Sequence, residues 1–449
     1  MNSKRKRKMI KSELPGFHRL RQPERCQRIA DIAGLRLAET RVLSGEKGLT
    51  ATQADTMVEN VLGVMGVPLS LCPNLRINGE DVLVPMAIEE PSVVAAASFA
   101  AKLLRTGDGI QTRVSPPLMI GQIQLLDVPD AQAAEVAILQ ARKELLAKSN
   151  AMDPWLVAAG GGAVDVEVRH LPPLNASDPV GPMVVVHLIV DVRDAMGANA
   201  INTMCEGLAP SLEELTGGRV RLRILSNLTD KRTVVATGHV PFELLKGKGG
   251  TSPYDLAKGI EEASVFAERD SYRATTHNKG IMNGVDAVLL AFGQDWRAVE
   301  AGAHAFAGRS GHYSALAKWR VGAKGLDGHL EIPMAVGTIG GITCIHPTVK
   351  VAYRIAKLKG ASDLASIAAA MGLAQNLAAL RALAAEGIQY SHMRMHARKV
   401  AAEAGAVEHE VENVARCIAE QGALDLATAC AALKQHRAPE AIATQQGRG

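Results

Sequence analysis

MVVVHLIVDVRDAMGANAINTM, residues 183–204, is the stretch on which the fold reading turns. Its first ten residues form a strand-like apolar run. A small loop containing Gly197 follows, and from about Ala198 to Leu215 the spacing becomes helical. Three more strand-like runs surround it: QIQLLDV (122–128), VDVEVRHL (164–171) and RVRLRILSNL (219–228). AQAAEVAILQARKELLAKSN fills the first gap with a helical pattern. The order strand, helix, strand, strand, helix, strand is that of a split βαβ, ferredoxin-like unit. It predicts a discrete domain over 118–227, inserted in a larger one.

Working outward, 449 residues are too many for one compact core. The remainder predicts a large, mostly helical domain over 13–117 and 228–386, so the fold class is α+β. Within it, Ile77-Asn78-Gly79-Glu80 reads as a hairpin turn. Pro91 to Arg105 reads as an Ala-rich helix with proline in its first turn, and VDAVLLAFG (285–293) as an apolar strand delivering Gln294 and Asp295. A helix from about Ala361 to Glu386 closes this domain, and Gly387 begins a small helical C-terminal unit over 387–449. Residues 1–12 form a basic tail with no apolar run behind it, so it is not a secretory signal. No run of about 18 apolar residues is found, so no membrane span is expected. Six cysteines lie far apart without a C-x-x-C and read as reduced thiols of a cytoplasmic protein. A net charge of +4 demands no polyanion, and the 3% aromatic content argues against single-stranded nucleic acid.

Several residues carry chemistry. Asp194 to Met204 opens a helix, where free backbone N–H groups favour a phosphate; the alternative is an ordinary helix capped by Asp194. Gly160 to Gly162 permit a tight turn or close ligand approach. Just upstream, Asp153 is suited to accept from a ribose 2′-hydroxyl and to repel a 2′-phosphate. In Ile88 to Ser92 two glutamates precede a helix, either as dipole partners or with one as a buried acid of raised pKa. Arg273, Lys279, Asn283 and Asp295 form a further group, in which Asp295 is expected to pair with Lys279; the alternative is a structural ion pair. His392 and His396 stand four apart, but no third ligand follows at a metal-site spacing, so no metal is expected. His392 suits proton donation instead.

ENVLG (59–63), VPMAIEEPS (84–92), DAMGANAINTM (194–204), THNKGIMNG (276–284), GQDWRAVEAGAHA (293–305) and SHMRMHAR (391–398) follow one another here as they do in 3-hydroxy-3-methylglutaryl-coenzyme A reductase. The chain resembles the class II, bacterial form, from about Leu14 to Lys434. The resemblance implies a large domain carrying an inserted ferredoxin-like domain for the dinucleotide, with a mobile C-terminal flap. It implies interconversion of HMG-CoA and mevalonate plus CoA, using two nicotinamide cofactors through mevaldyl-CoA and mevaldehyde. The implied catalytic residues are Glu90, Lys279, Asp295 and His392, with substrate contacts from Ser92, Arg273 and Asn283. Asp194, Met196, Gly197 and Asn199 carry over as the cofactor loop. Asp153 argues for NAD(H) over NADP(H), although Trp155 stands where a smaller aliphatic is expected in NADH-using relatives. The implied assembly is a homodimer with interfacial active sites, with a hexamer of three dimers as a further form, and with neither membrane nor nucleic acid as partner.

Two other readings compete. A CoA-dependent acyl transferase or thiolase-like enzyme needs a nucleophilic cysteine paired with histidine, which no motif supplies. A ferredoxin-like RNA-binding module needs aromatics on its sheet, yet the four strand-like runs hold no Phe, Tyr or Trp.

Overall fold

The structure, a computed structural model, describes residues 11–247, 251–385 and 397–445. Its first sheet is the hairpin β1 (Leu69–Ile77) and β2 (Glu80–Ala87). Asn78 (φ 49°) and Gly79 (φ 82°) turn it with two consecutive positive φ angles, as the sequence reading requires. A second antiparallel sheet comprises β3 (Gln111–Val114), β8 (Thr233–Pro241), β9 (Ala317–Val321) and β10 (Gly325–Pro333), in the order β3-β8-β10-β9.

The third sheet is built from β4 (Leu118–Leu126), β5 (Gly162–Leu171), β6 (Met183–Asp191) and β7 (Arg219–Leu225). Its order β5-β6-β4-β7, antiparallel throughout, is the split βαβ arrangement expected from residues 183–204 and their flanks. Every residue of β6 from Val184 to Val190 is buried, as its apolar run dictates. The first gap holds α5 (Ala131–Gln140), α6 (Arg142–Met152) and α7 (Pro154–Ala158), a break at Ala141 where one continuous helix was expected. The second holds α8 (Ala198–Thr216). Gly121 lets α8 lie close on β4: a Cβ there would stand 2.3 Å from Cys205 Sγ and 2.7 Å from Ile201 Cγ2.

Helices fill most of the rest: α1 (Gln22–Ala33), α2 (Leu37–Leu43), α3 (Ala51–Asp55), α4 (Val93–Leu104), α9 (Pro253–Arg269), α10 (Ser271–Ala291), α11 (Trp296–Ala307), α12 (Pro347–Ala356) and α13 (Ala361–Ala385). Their largest hydrophobic cluster joins α4, α10 and α13 to the second sheet. Gly284 of α10 faces Met371 and Gln375 of α13, and Gly372 faces Ile281 and Val285 in return, so the two helices approach closely. By length and composition α13 suffices to cross a bilayer, contrary to the count of apolar runs, but 67% of its most apolar window is buried in the protein. A separate small core joins α14 (397–403), α15 (Glu408–Glu420) and α16 (Leu426–Gln445).

Two local expectations are corrected. VDAVLLAFG is not a strand; residues through Ala291 continue α10 without a break from THNKGIMNG. A short apolar run does not distinguish a buried helix from a buried strand, and here the helix is buried on most sides. Pro91 lies outside α4, which starts at Val93 behind Ser92 in a left-handed conformation (φ 74°).

Gly121→Ala should overpack the seam between β4 and α8 and destabilise the protein by about 1–3 kcal/mol. Thermal and urea melts of the variant check this, and an unchanged midpoint would show that the seam is looser than described.

Candidate active site

The turn from β2 into α4 sets Glu89, Glu90 and Ser92 beside α10, which packs against both elements. Asp270 starts α10 by accepting from the Arg273 backbone N–H at 2.7 Å. Tyr272, Lys279, Asn283, Asp286 and Leu290 then recur at helical spacing along one stripe, while the residues between them are mostly buried. Lys279 Nζ donates to Glu90 Oε2 at 2.9 Å, joining α10 to the β2–α4 turn across 189 residues of chain. The lysine side chain is 58% exposed and the glutamate 36%, so the pair lies at an open surface.

Ser92 shares the β2–α4 turn with Glu90, and Arg273 and Asn283 share α10 with Lys279. Among the described residues the Ser92 hydroxyl makes no cap bond to its helix, and neither the Arg273 guanidinium nor the Asn283 amide has an internal partner. Burial lowers the Arg273 pKa from its ordinary value, so an anion there would regain hydration energy that the guanidinium has given up.

Asp295 is placed differently from expectation. Its carboxylate accepts from Ala298 N at 3.1 Å, capping α11, and lies 3.9 Å from Arg297. Because α10 is continuous, Lys279 and Ala291 are twelve residues of helix apart, about 18 Å. The lysine therefore meets Glu90 within its own chain and not Asp295. The acid whose pKa the surroundings raise is Asp286, which stands outside the residues expected from sequence. Burial, with Glu300 nearby, pushes it up to about 7. Its Oδ1 is buried without a hydrogen-bond partner among the described residues. The signal was present in HNKGIMNGVD, where Asp286 follows Asn283 by three and Lys279 by seven.

The loop expected to bind the dinucleotide lies at the end of β6. Gly197 (φ 96°) starts α8 with no side-chain cap, leaving the first backbone N–H groups of a 19-residue helix available to a phosphate. Asn199 is exposed there and Met196 is half-buried. Asp194 does not cap α8: its Oδ1 accepts from Ala361 N at 2.7 Å, at the start of α13. Asn202 likewise turns inward and accepts from Leu225 N at 3.0 Å. Asp153 caps α7 through Leu156 N at 2.9 Å, and Trp155 beside it is 87% exposed. The three glycines serve a tight turn, since a Cβ on Gly161 would meet Asp191 O at 2.5 Å. His392 and His396 lie outside the described residues.

Asp286 carries a pH prediction. Its folded pKa is raised, so between about 4 and 7 the native state binds the proton more tightly than the unfolded one. Its contribution is complete below the unfolded value and is lost as pH rises through about 7. Asp286→Asn should flatten the decline of the melting temperature between pH 5 and pH 8. Parallel profiles for wild type and variant would place the carboxyl in water.

The family model described as "Hydroxymethylglutaryl-coenzyme A reductase" matches residues 22–397. The 3-hydroxy-3-methylglutaryl-coenzyme A reductase of Archaeoglobus fulgidus is 46% identical over 421 residues, 94% of each chain. A probable enzyme of the same name from Borreliella burgdorferi is 37% identical over 77% of each. Among solved structures, the reductase of Streptococcus pneumoniae superposes with a TM-score of 0.80 at 39% identity, over 95% of this chain and 100% of that one. The class II enzyme of the same organism, "bound to NADPH in open conformations", gives 0.79 at 40% identity, over 83% and 99%. The chain belongs to the hydroxymethylglutaryl-coenzyme A reductase family, in its class II branch.

Proposed function

We propose that this chain interconverts HMG-CoA and mevalonate plus CoA by two hydride transfers, through mevaldyl-CoA and mevaldehyde. The observation that carries the reading is the Lys279–Glu90 pair at 2.9 Å, open to solvent and accompanied by Ser92, Arg273 and Asn283, whose side-chain donors have no partner among the described residues. A bound nicotinamide dinucleotide supplies the hydride. Arrival of hydride at the thioester carbon places negative charge on its oxygen, and the Lys279 ammonium is the cation placed to stabilise it. Glu90 holds that ammonium in place and is positioned to pass a proton to the second alkoxide. Arg273 suits the free carboxylate of the substrate. Expulsion of the CoA thiolate calls for a proton donor, the role assigned to His392.

The orphan backbone N–H groups behind Gly197 suit a pyrophosphate, and we read the unit over 118–227 as the dinucleotide domain. The large substrate domain is then 13–117 with 228–386, and 387–449 is the flap. Asp153 favours NAD(H) over NADP(H). Asp194 fixes the loop through Ala361 with one carboxylate oxygen, which leaves its other oxygen for the cofactor side. Because Asp295 lies too far along its own chain to reach Lys279, we assign it to the site of a second copy. The exposed stripe of α10 and the exposed apolar residues Leu62 and Met65 suit such a dimer. The protein acts on small molecules, and a cytoplasmic location fits its chemistry. The thiolase-like alternative loses support, since burial pushes the Cys72 and Cys205 thiols up to about 12.

Reduced-nicotinamide absorbance with CoA, mevalonate and NAD should rise only when all three are present, and more slowly with NADP in place of NAD. A signal confined to NADP would overturn the Asp153 assignment, and silence in both directions would overturn the reaction. Lys279→Ala should lower kcat by about 10²–10³-fold without lowering the melting temperature. Co-expressed Lys279→Ala and Asp295→Ala chains should recover turnover that neither has alone; continued silence would put both residues in one chain's site.

A further inference from the structure

The segment 334–341, which leaves β10, touches both halves of the machinery. On one side it is bound to the dinucleotide loop. Thr338 N donates to Asp194 O at 2.8 Å, and Ile339 forms a parallel bridge with Ala195. Gly337 lies so close to the loop that a Cβ would stand 2.4 Å from Met196 N. Arg232, only 4% exposed, closes the contact from beneath. Its guanidinium donates to Ala195 O at 3.2 Å, to Met196 O at 3.5 Å and to Val336 O. No carboxylate among the described residues lies within ion-pair distance of it. A buried cation spent wholly on backbone carbonyls fixes the relative position of the two segments that own them.

On the other side the same segment is bound to the residue preceding Asp295. Gly337 N donates to Gln294 Oε1 at 2.8 Å. Gln294 Nε2 donates to Tyr353 OH at 3.2 Å, and that hydroxyl donates back to Gly337 O at 3.3 Å. Gly337, Gln294 and Tyr353 thus close a ring of hydrogen bonds, and Gly337 is the residue that also abuts Met196.

We propose that Arg232 and Gln294 are positioning residues which, through the strap 334–341, lock the dinucleotide loop Asp194–Gly197 and the acid Asp295 into one rigid body. This rests on the reductase reading above. It goes further in fixing where precision in the hydride geometry originates: two residues that touch neither substrate nor cofactor set the distance between the hydride source and the acid. Misplacement by about 1 Å at this level costs on the order of 10²-fold in rate.

The test uses the full-length protein. Gln294→Met keeps the side-chain length and removes the hydrogen bonds to Gly337 and Tyr353, together with the one its Nε2 donates to Phe292 O at 3.0 Å. Gly337→Ala keeps them and pushes on Met196. For each, kcat, the KM of HMG-CoA and of the dinucleotide, the melting temperature and the isotope effect on kcat with 4-deuterated reduced cofactor are measured. Both variants should lose roughly 10- to 100-fold in kcat, with each KM within about twofold of wild type. The isotope effect should exceed that of wild type, because the hydride step becomes limiting. Arg232→Lys should retain more activity than Arg232→Met. Unchanged kcat and isotope effect in Gln294→Met and Gly337→Ala would overturn the strap, as would a loss expressed only in melting temperature or KM. Wild-type silence would instead sink the reductase reading itself, and the strap with it.

Discussion

Nearly everything around the candidate site depends on how α10 is buried. Gly284 and Gly372 let α10 and α13 approach until backbone meets side chain, so neither helix can turn without a clash. With that rotation fixed, Lys279, Asn283 and Asp286 have no choice of direction. Glu90 comes to Lys279 because β2 packs on the same helix and ends at the turn before α4. A site resting on rigid elements keeps its geometry before any ligand arrives, which electrostatic stabilisation requires.

The Lys279–Glu90 pair would mean little if stability were its purpose. Exposed ion pairs add almost nothing, since water screens both charges and two long side chains must be ordered. The same pair covered by a substrate, a flap or a second chain would interact in a poorer dielectric, where its charges count for far more. The exposure of the pair is therefore informative. Buried polar groups elsewhere are mostly partnered, such as Trp319 Nε1 with Asn376 Oδ1 at 2.8 Å, whereas this pair stands at an open surface.

Where the sequence could be read, a period was available to read. The β4–β7 unit was legible because its strand runs are separated by two helical gaps of the right length, and only one topology joins them simply. The Asn78-Gly79 turn was legible from backbone chemistry alone. VDAVLLAFG was misread because burial on most sides erases periodicity, and that error displaced Asp295 from a strand end to the cap of α11. The motif residues of α10 were legible as a group, but which acid faced Lys279 is a matter of helix length, and no spacing rule supplies that once a strand has been assumed. Asp194 was legible as important and not as to its partner. Its contact with Ala361 crosses 167 residues, and nothing local announces it.

Arg232 shows what local reading cannot reach. In sequence it is one arginine in TDKRTVV, beside a lysine that pairs with Glu167 on the surface at 2.8 Å. In the structure its desolvation is severe enough to bring the guanidinium down to about 10. A chain selected for stability alone would gain by replacing such a group with an apolar one of similar volume. What an apolar side chain cannot do is hold carbonyls from two separate segments at fixed separation. The guanidinium does so with Ala195, Met196 and Val336 at once, because its planar fork presents several donors in one rigid geometry. A lysine, with a single rotating ammonium, would keep the charge and lose the angle. The desolvated arginine therefore makes sense where relative placement of two loops matters more than their stability, and the segments it joins are the loop Asp194–Gly197, which we read as dinucleotide-binding, and the strap leading to Gln294 and Asp295.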